Sequence, residues 1–325
     1  MPEEKMNTIA SQTLGRSITI SKKDKPAGQW TLAWRRLQRH KLAMIGLITL
    51  TLITLSSIAA PLIAPYPYEE INLTQSYAPV MSPGDAGRPM HYLGTDRLGR
   101  DMFSRLLYAG RISLIVALSV TILTMVGGAL VGALSGWFGG WTETGLMRFT
   151  DVMLTLPQLP LLLVLSSSLR QFTQLQNFLG SNSSVIIIIF VLVVFGWMGV
   201  ARLVHGSVLS LRNQEYIQAS WALGSSGPRI IFQHLIPNSF APIIVAATLG
   251  FGAVIIAESA LSFLGFGVMP PVPTWGNMLN EARAAPLQDL FTQALFPGFL
   301  IFITVLSINF IGDGLRDALD PRLKM

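Results

Sequence analysis

Cysteine is absent from the 325-residue chain, and charged residues are scarce. Without cysteine the chain cannot form disulfides, thiolate metal sites or a cysteine nucleophile. Only 12% of the residues are charged, whereas soluble domains have about a quarter. Hydrophobic residues make up 51% of the chain, and the mean hydropathy is +0.52. This composition predicts an integral membrane protein.

Lysine is also absent between Leu42 and Leu323, the region that a bilayer would have to accommodate. The net charge of +6 therefore arises in the flanks of the chain. A nucleic-acid-binding protein would gather its basic residues on a folded surface. Here they gather beside an apolar run, which argues against nucleic acid as a partner.

Two further absences limit the chemistry. The four histidines, at positions 40, 91, 205 and 234, lie far apart and lack the spacing of metal ligands, so we expect no metal site. No Gly-Lys pair occurs, so the chain has no phosphate-binding loop of the Gly-x-x-x-x-Gly-Lys-Ser/Thr type. If the protein drives transport, the energy has to come from an ion gradient or from a partner protein.

Six apolar runs are each near the length of about 20 residues that a bilayer-spanning helix needs. Helices are the expected form, because backbone groups in lipid have to be hydrogen-bonded within the segment. Prolines at positions 157, 160, 242 and 297 predict kinks or helix ends. The predicted spans are 42–64, 112–135, 152–169, 185–201, 240–257 and 291–311.

The first apolar run follows a 41-residue leader that is too long for a signal peptide, so we interpret the run as an uncleaved helix. Arg35, Arg36, Arg39 and Lys41 precede it and predict a cytoplasmic N-terminus. Six spans then place both termini in the cytoplasm. The expected location is the plasma membrane. The expected parts are a basic tail (1–41), a first transmembrane helix (42–64), an extracytoplasmic loop (65–111), a core with helices two to six (112–314) that includes a cytoplasmic loop (206–238), and a C-terminal tail (315–325).

The extracytoplasmic loop ends in a charged stretch. Four of its residues are close enough in sequence to pair: Asp96, Arg97, Arg100 and Asp101. Gly94 and Gly99 permit tight turns beside them, ahead of an amphipathic lead-in to the second helix. The stretch is either a folded cap that anchors this helix or a surface that contacts the substrate.

Two features inside the spans have alternative interpretations. Gly128, Gly132 and Gly136 recur every four residues and predict the close packing of another helix, with a flexible hinge as the alternative. Glu258 lies far along the fifth span and is a proton carrier, a partner for an arginine, or a residue at the outer end of its helix. Neither pattern identifies the substrate pathway.

A half-polar segment, residues 215–238, lies between the fourth and fifth spans on the predicted cytoplasmic side. Gly224 can turn the chain with a positive φ after a first short helix. A second helix is predicted from Pro228 to Ile236, closed by Pro237. Its length of about 13 Å is too short to cross a bilayer. Such an apolar helix either docks on a partner or lies on its own protein or the bilayer surface.

The residue order in this segment is Gln218-Ala219-Ser220, three residues, Gly224, nine residues, and His234-x-Ile236-Pro237. It resembles the Glu-Ala-Ala loop of ATP-binding-cassette (ABC) importer permeases, whose form is Glu-Ala-Ala, three residues, Gly, nine residues, Ile-x-Leu-Pro. Three further stretches resemble the second permease subunit of the branch that serves dipeptides, oligopeptides and nickel: LGTDRLGRDMFSRLLYAGRISL, ESALSFLGFG and NFIGDGLRDALDP. The resemblance covers the chain from about residue 42 onward.

The resemblance implies an all-α integral membrane protein with six transmembrane helices and the type I ABC importer permease (MetI-like) fold. It implies a transport subunit, not an enzyme, that has no cofactor and works with a second permease subunit, two ABC ATPase subunits and an extracytoplasmic substrate-binding protein. The expected cargo is peptides, with nickel or another small solute as the alternative; a proton-driven secondary transporter is the rival class. The residues that match positions expected to contact the ATPase are Glu215, Ala219, Gly224, Arg229 and Pro237.

Overall fold

The computed structural model describes residues 29–85 and 87–319. Helices dominate this part of the chain, and it contains no β-strand, only two isolated bridges. The predicted all-α class is therefore confirmed. Most of the two predicted tails, including the lysines at positions 5, 22, 23, 25 and 324, lies outside the described residues.

The helices are numbered here in chain order. They are α1 (Gln29–Arg39), α2 (Lys41–Ile58), α3 (Ala60–Ile63), α4 (Met102–Phe138), α5 (Gly140–Thr155), α6 (Gln158–Gln171), α7 (Thr173–Leu179), α8 (Ser183–Gly196), α9 (Met198–Arg212), α10 (Glu215–Ala222), α11 (Gly227–Ile230), α12 (Ile236–Asn238), α13 (Phe240–Phe263), α14 (Trp275–Ala282) and α15 (Leu287–Leu319). Short 3-10 turns occur at Leu73–Gln75 and Gly180–Asn182, and a π-helical turn at Ile231–Leu235.

Five helical segments of the described chain are long and apolar enough to cross a membrane: α2, α4, α8 together with α9, α13 and α15. A sixth crossing results if α5 and α6, which are bent by 92° relative to each other, form one broken span. These segments correspond to the six predicted apolar runs. The chain is a multi-pass membrane protein, as predicted.

The second spanning helix begins at Met102, earlier than the predicted start at residue 112. Asp101 caps this helix, and its carboxylate accepts a hydrogen bond from the Ser104 amide at 2.8 Å. The first turns of the helix are also buried, with Leu106 and Ala109 almost inaccessible to solvent. The amphipathic lead-in therefore already belongs to α4, while the extent of the extracytoplasmic loop (65–111) stays a prediction.

The third predicted span is not one straight helix. Leu156 has extended backbone angles (φ −75°, ψ 141°) and separates α5 from α6. The residue before a proline disfavours the helical region, and Pro157 follows directly. The predicted interruption at Pro157 is confirmed, whereas Pro297 lies inside α15, which continues on both sides of it.

Helices α2 and α15 approach each other closely through glycines. A Cβ added at Gly46 would lie 2.5 Å from the Ser307 carbonyl oxygen, and one at Gly314 would lie 2.4 Å from the Ala43 Cβ. Both distances are shorter than van der Waals contact, so only glycine fits there. The same corner also holds α1, whose Leu37 is buried against α15.

Helices α4 and α9 pack in the same way along the predicted glycine strip. A Cβ added at Gly132 would lie 2.4 Å from the Ala201 carbonyl oxygen, and at Gly128 the nearest atom is a backbone oxygen at 2.6 Å. At Gly136 the nearest atom is the Val208 Cγ1, at 2.8 Å. The strip therefore serves close helix packing, as predicted.

Replacing Gly132 with alanine tests this packing, with Gly127→Ala as the matched control. We expect Gly132→Ala to cost about 1–3 kcal/mol, because the new methyl group meets rigid backbone. A Cβ at Gly127 finds its nearest neighbour at 3.9 Å. The control should be neutral or stabilising, because alanine favours a helix more than glycine by about 1 kcal/mol. Equal thermal unfolding midpoints of the two variants in detergent would contradict the assignment.

Candidate functional site

The segment 215–238 has two helical parts joined by a sharp turn at Gly224, whose φ is +87°. The Gly224 amide donates to the Trp221 carbonyl at 3.0 Å, and the Ser225 amide donates to the Ser220 carbonyl at 3.1 Å. This pair of bonds is the Schellman motif, which ends α10. The predicted positive φ at Gly224 is confirmed.

The second helical part is longer than predicted. Helix α11, the π-helical turn and α12 form a continuous run over residues 227–238, and Pro228 lies in its first turn as expected. The prediction that Pro237 closes the helix is wrong. Proline has no amide hydrogen, and the π-helical turn just before Pro237, in which the Ile236 amide donates to the Ile231 carbonyl, accommodates the missing bond.

One face of the segment is part of the hydrophobic core. Its buried side chains lie together with residues from three long helices: Ile217, Ile230, Ile231 and Leu235 from the segment, Ala129 and Ala133 from α4, Val200, Val204 and Val208 from α9, and Ile243 from α13. The second helical part of the segment was predicted either to dock on a partner or to lie on its own protein or the bilayer surface. For its buried face, packing on its own protein is confirmed. The segment is therefore anchored to the glycine-packed pair α4 and α9.

An aromatic contact extends this anchor. Trp137, at the end of α4, meets Trp221 of α10 edge to face, with ring centroids 5.4 Å apart and an interplanar angle of 73°. Gly227 lies against the same ring, since an added Cβ would be 2.8 Å from Trp137 Nε1. The two indoles border a cleft of about 540 Å³ that Arg212 and Pro228 also line. The end of α4 is thus in contact with both helical parts of the segment.

The opposite face of the segment is exposed. All the residues predicted to contact an ATPase are exposed: Glu215, Ala219, Gly224, Arg229 and Pro237. Large apolar side chains accompany them, with Leu223 88% and Phe232 59% exposed. An exposed apolar patch on a segment too short to span a bilayer is typical of a surface that binds a protein or the membrane.

Residues 65–85 and 87–101 fold into a cap over the beginning of α4. Arg100 Nε donates to Asp96 Oδ2 at 2.7 Å, and Arg105 of α4 pairs with the same carboxylate. Both guanidinium groups also reach Glu281 of α14, at 2.7 Å from Arg100 Nη2 and 2.6 Å from Arg105 Nη1. This buried network ties the cap to two helices, as expected of a folded cap.

Asp101 has a different role from Asp96. Its Oδ1 lies 2.9 Å from Nδ1 of the buried His91, whose Nε2 is 2.6 Å from Gln75 Oε1. Its other carboxylate oxygen caps α4. Pairing of a carboxylate with an arginine is thus confirmed for Asp96 but not for Asp101, while Arg97 is exposed.

Glu281 is the residue on which this network converges. Burial alone would raise the pKa of its carboxyl group, but the hydrogen bonds and charges of Arg105 and Arg100 outweigh burial and hold the pKa below its ordinary value. The carboxylate is therefore the form present at neutral pH. It balances two arginines that would otherwise be buried with a single counter-charge.

Glu258 is fully buried and hydrogen-bonded to serines. Ser262 donates to its Oε1 at 2.7 Å, and Ser113 of α4 lies 3.4 Å from its Oε2. Ser113 in turn accepts the Trp275 amide at 3.3 Å, so the carboxyl group joins α13, α4 and α14. Within the described chain it forms no ion pair, so the arginine-partner hypothesis is wrong. The contacts favour a structural role near the end of α13.

Helix α14 and the roles of its residues Trp275 and Glu281 were not predicted from the sequence. Trp275 is completely buried, and its indole Nε1 donates to the Leu106 carbonyl at 3.3 Å. Two signals were present: a capping box formed by Thr274 and Asn277, and Glu281 as the one acidic residue in the sequence between α13 and α15. Neither signal shows that α14 inserts between the long helices.

The chain belongs to the family of binding-protein-dependent transport system inner membrane components, whose model matches residues 128–325. The N-terminal transmembrane domain of oligopeptide transport permease C matches residues 28–79. The predicted family is therefore confirmed, and the match begins within the tail that the sequence resemblance had left out.

Curated relatives agree over nearly the whole chain. It is 40% identical to the dipeptide transport system permease protein DppC of Alkalihalophilus pseudofirmus, covering 91% of this chain and 90% of that protein. It is 36% identical to the oligopeptide transport system permease protein OppC of Bacillus subtilis, covering 97% and 96%. The chain is thus similar to complete permease subunits.

The buried network predicts that Glu281→Gln destabilises the protein far more than Glu70→Gln. Glu281 is itself partly exposed, but its loss would leave the buried Arg105 with a single counter-charge, and removing one partner of a buried ion pair costs about 3–5 kcal/mol. Glu70 pairs with Arg88 on the surface, where a pair contributes about 0–1 kcal/mol. Thermal unfolding in detergent at neutral pH measures both losses, and similar small losses would contradict the role of Glu281.

The network also predicts a pH dependence. A carboxyl group with a lowered folded-state pKa stabilises the protein above the unfolded-state pKa, which is about 4.3 for Glu, and loses this contribution as pH falls through the folded-state value. We therefore expect the difference in unfolding midpoint between the wild type and Glu281→Gln to shrink below about pH 4. A difference that stays constant on acidification would count against the ionised pair.

Proposed function

We propose that this protein is a permease subunit of an ATP-driven importer of peptides in the plasma membrane, with both termini in the cytoplasm. The observation that carries the proposal is the segment 215–238, which has one face in the core and the other exposed. The family match and the printed names of the relatives, a dipeptide and an oligopeptide permease, support peptides as the cargo. Nickel or another small solute is the alternative cargo.

The exposed face of the segment contacts a partner ATPase. The contact residues are Glu215, Ala219, Gly224, Arg229 and Pro237, with the exposed apolar side chains beside them. ATP use falls to the partner, since the sequence offers no phosphate-binding loop. A second permease subunit, two ATPase subunits and an external binding protein complete the transporter, and no cofactor is required of this chain.

The hydrophobic core beneath the segment transmits a movement of the ATPases to the membrane-spanning helices. Because Ile217, Ile230 and Leu235 share a core with α4 and α9, a displacement of the segment carries these two helices with it. A packed core switches between discrete arrangements and does not deform continuously. ATP-driven closure of the ATPase pair would therefore shift α4 and α9 between inward- and outward-facing arrangements.

A Gly224→Val variant tests coupling. A β-branched residue at a φ of +87° is strained by about 1–2 kcal/mol, while an added Cβ has no neighbour within 4 Å. The chain should therefore insert and fold, but the turn that sets the exposed face should shift. We expect peptide uptake to fall at least tenfold in cells that express the variant at the wild-type level.

Gly206→Val is the matched control, because Gly206 is exposed, has no neighbour within 4 Å of an added Cβ, and lies in helix α9 with an ordinary φ. Pull-down of the tagged chain from native membranes should recover an ATPase and a different permease with both the wild type and the control. Normal uptake by a stable Gly224→Val protein would refute the coupling assignment. Recovery of no ATPase with the wild type would refute the ATP-driven importer itself.

Glu258→Gln separates the importer from a proton-driven transporter. Glutamine keeps the shape and can keep the hydrogen bonds to Ser262 and Ser113, but it cannot carry a proton. We expect uptake to stay at the wild-type level, because an ATP-driven importer does not require this carboxyl group to carry a proton. In proteoliposomes, loss of uptake in this variant together with uptake by the wild type in a proton gradient without ATP would favour the rival.

A further inference from the structure

Helix α1 is amphipathic and lies directly before the first span. Its buried side chains, Ala33 and Leu37, are four residues apart and pack in a cluster with Ala43 of α2 and Ala318 of α15. The extended residue His40 separates α1 from α2, and its Nδ1 accepts a hydrogen bond from the Ala43 amide at 3.1 Å. α1 is thus a separate helix fixed against α15 beside the beginning of the first span.

The opposite face of α1 combines an aromatic ring with positive charge. Trp34 is 49% exposed, and Arg35 beside it is exposed as well. Residues 29–41 contain three arginines and one lysine, but no aspartate or glutamate. The carboxylate of Asp317 lies on the α15 side of this corner, 3.8 Å from His40 Nε2.

The position of this face relative to the hydrocarbon follows from α2. The apolar side chains that α2 exposes begin immediately after Lys41, with Leu42, Ile45 and Ile48 each about half exposed. Such an apolar surface on a spanning helix suits contact with acyl chains. Lys41 and the exposed face of α1 therefore lie at the level of the lipid headgroups, where tryptophan and basic residues are enriched.

We propose that α1 binds anionic phospholipids, with Trp34 seated among the headgroups and Arg35 and Lys41 contacting lipid phosphate. The charge of the helix complements anionic headgroups, and its exposed face is continuous with the lipid-facing surface of α2. Basic amphipathic helices that carry tryptophan bind such interfaces. The lipid site is independent of the proposed transport function.

The lack of cysteine allows a direct test. A single Gln38→Cys substitution on the exposed side of α1 takes an environment-sensitive fluorophore without any other reactive thiol in the full chain. The labelled protein is placed in nanodiscs of phosphatidylcholine alone, or of equal parts phosphatidylcholine and phosphatidylglycerol. We expect a shift of the emission to shorter wavelength with phosphatidylglycerol, which high salt reduces.

Charge variants in the same background decide the assignment. The double variant Arg35→Gln, Lys41→Gln should bind phosphatidylglycerol about fivefold more weakly for each charge removed, measured by native mass spectrometry. The double variant Arg35→Lys, Lys41→Arg keeps both charges and should bind as the wild type does. Arg88→Gln in the cap is the remote control and should also leave binding unchanged.

Two results would overturn the proposal. One is an unchanged emission shift in the neutralised variant, which would mean that a different surface or residues 1–28 respond to the lipid. The other is the same shift in neutral nanodiscs when inorganic phosphate is added, which would indicate a site for free phosphate instead of a lipid surface. Equal unfolding midpoints of all variants exclude misfolding as the cause of either effect.

Discussion

Backbone polar groups cannot remain unpaired in lipid, and most of this structure follows from that constraint. It forces the apolar runs into helices. Lipid tails are as apolar as the helix surfaces, so the hydrophobic effect does not drive the helices together, and they associate by packing closely. Glycines supply that approach between several helices, among them α4 and α9 at Gly132 and α2 and α15 at Gly46. These two pairs form the frame on which the remaining helices are placed.

Helix α4 connects the two ends of the frame. Its 37 residues extend about 55 Å, far more than the roughly 30 Å of hydrocarbon in a bilayer. One end is capped by Asp101 beneath the buried ion-pair network, and the other end places Trp137 against the segment 215–238. A single helix therefore links two polar surfaces on opposite sides of the membrane.

The sequence was sufficient for the number of spans, the glycine packing and the turn at Gly224, because each depends on residues close together in the chain. It was insufficient for the network around Glu281, whose partner Arg105 is 176 positions away. It also placed the start of α4 too late, because the cap that buries its first turns is itself a product of tertiary folding. For the segment, periodicity could not separate Ile230, which is buried, from Phe232, which is exposed.

The two faces of the segment have a consequence for how permeases of this kind can be recombined. A surface loop can be exchanged between homologues, but a loop whose inner side chains complete the core cannot. Any chimera that receives residues 215–238 must also receive partners complementary to Ile217 and Leu235, found here on α4 and α9. The unit of exchange, and the unit that should vary together among relatives, is therefore the segment together with the helix pair beneath it.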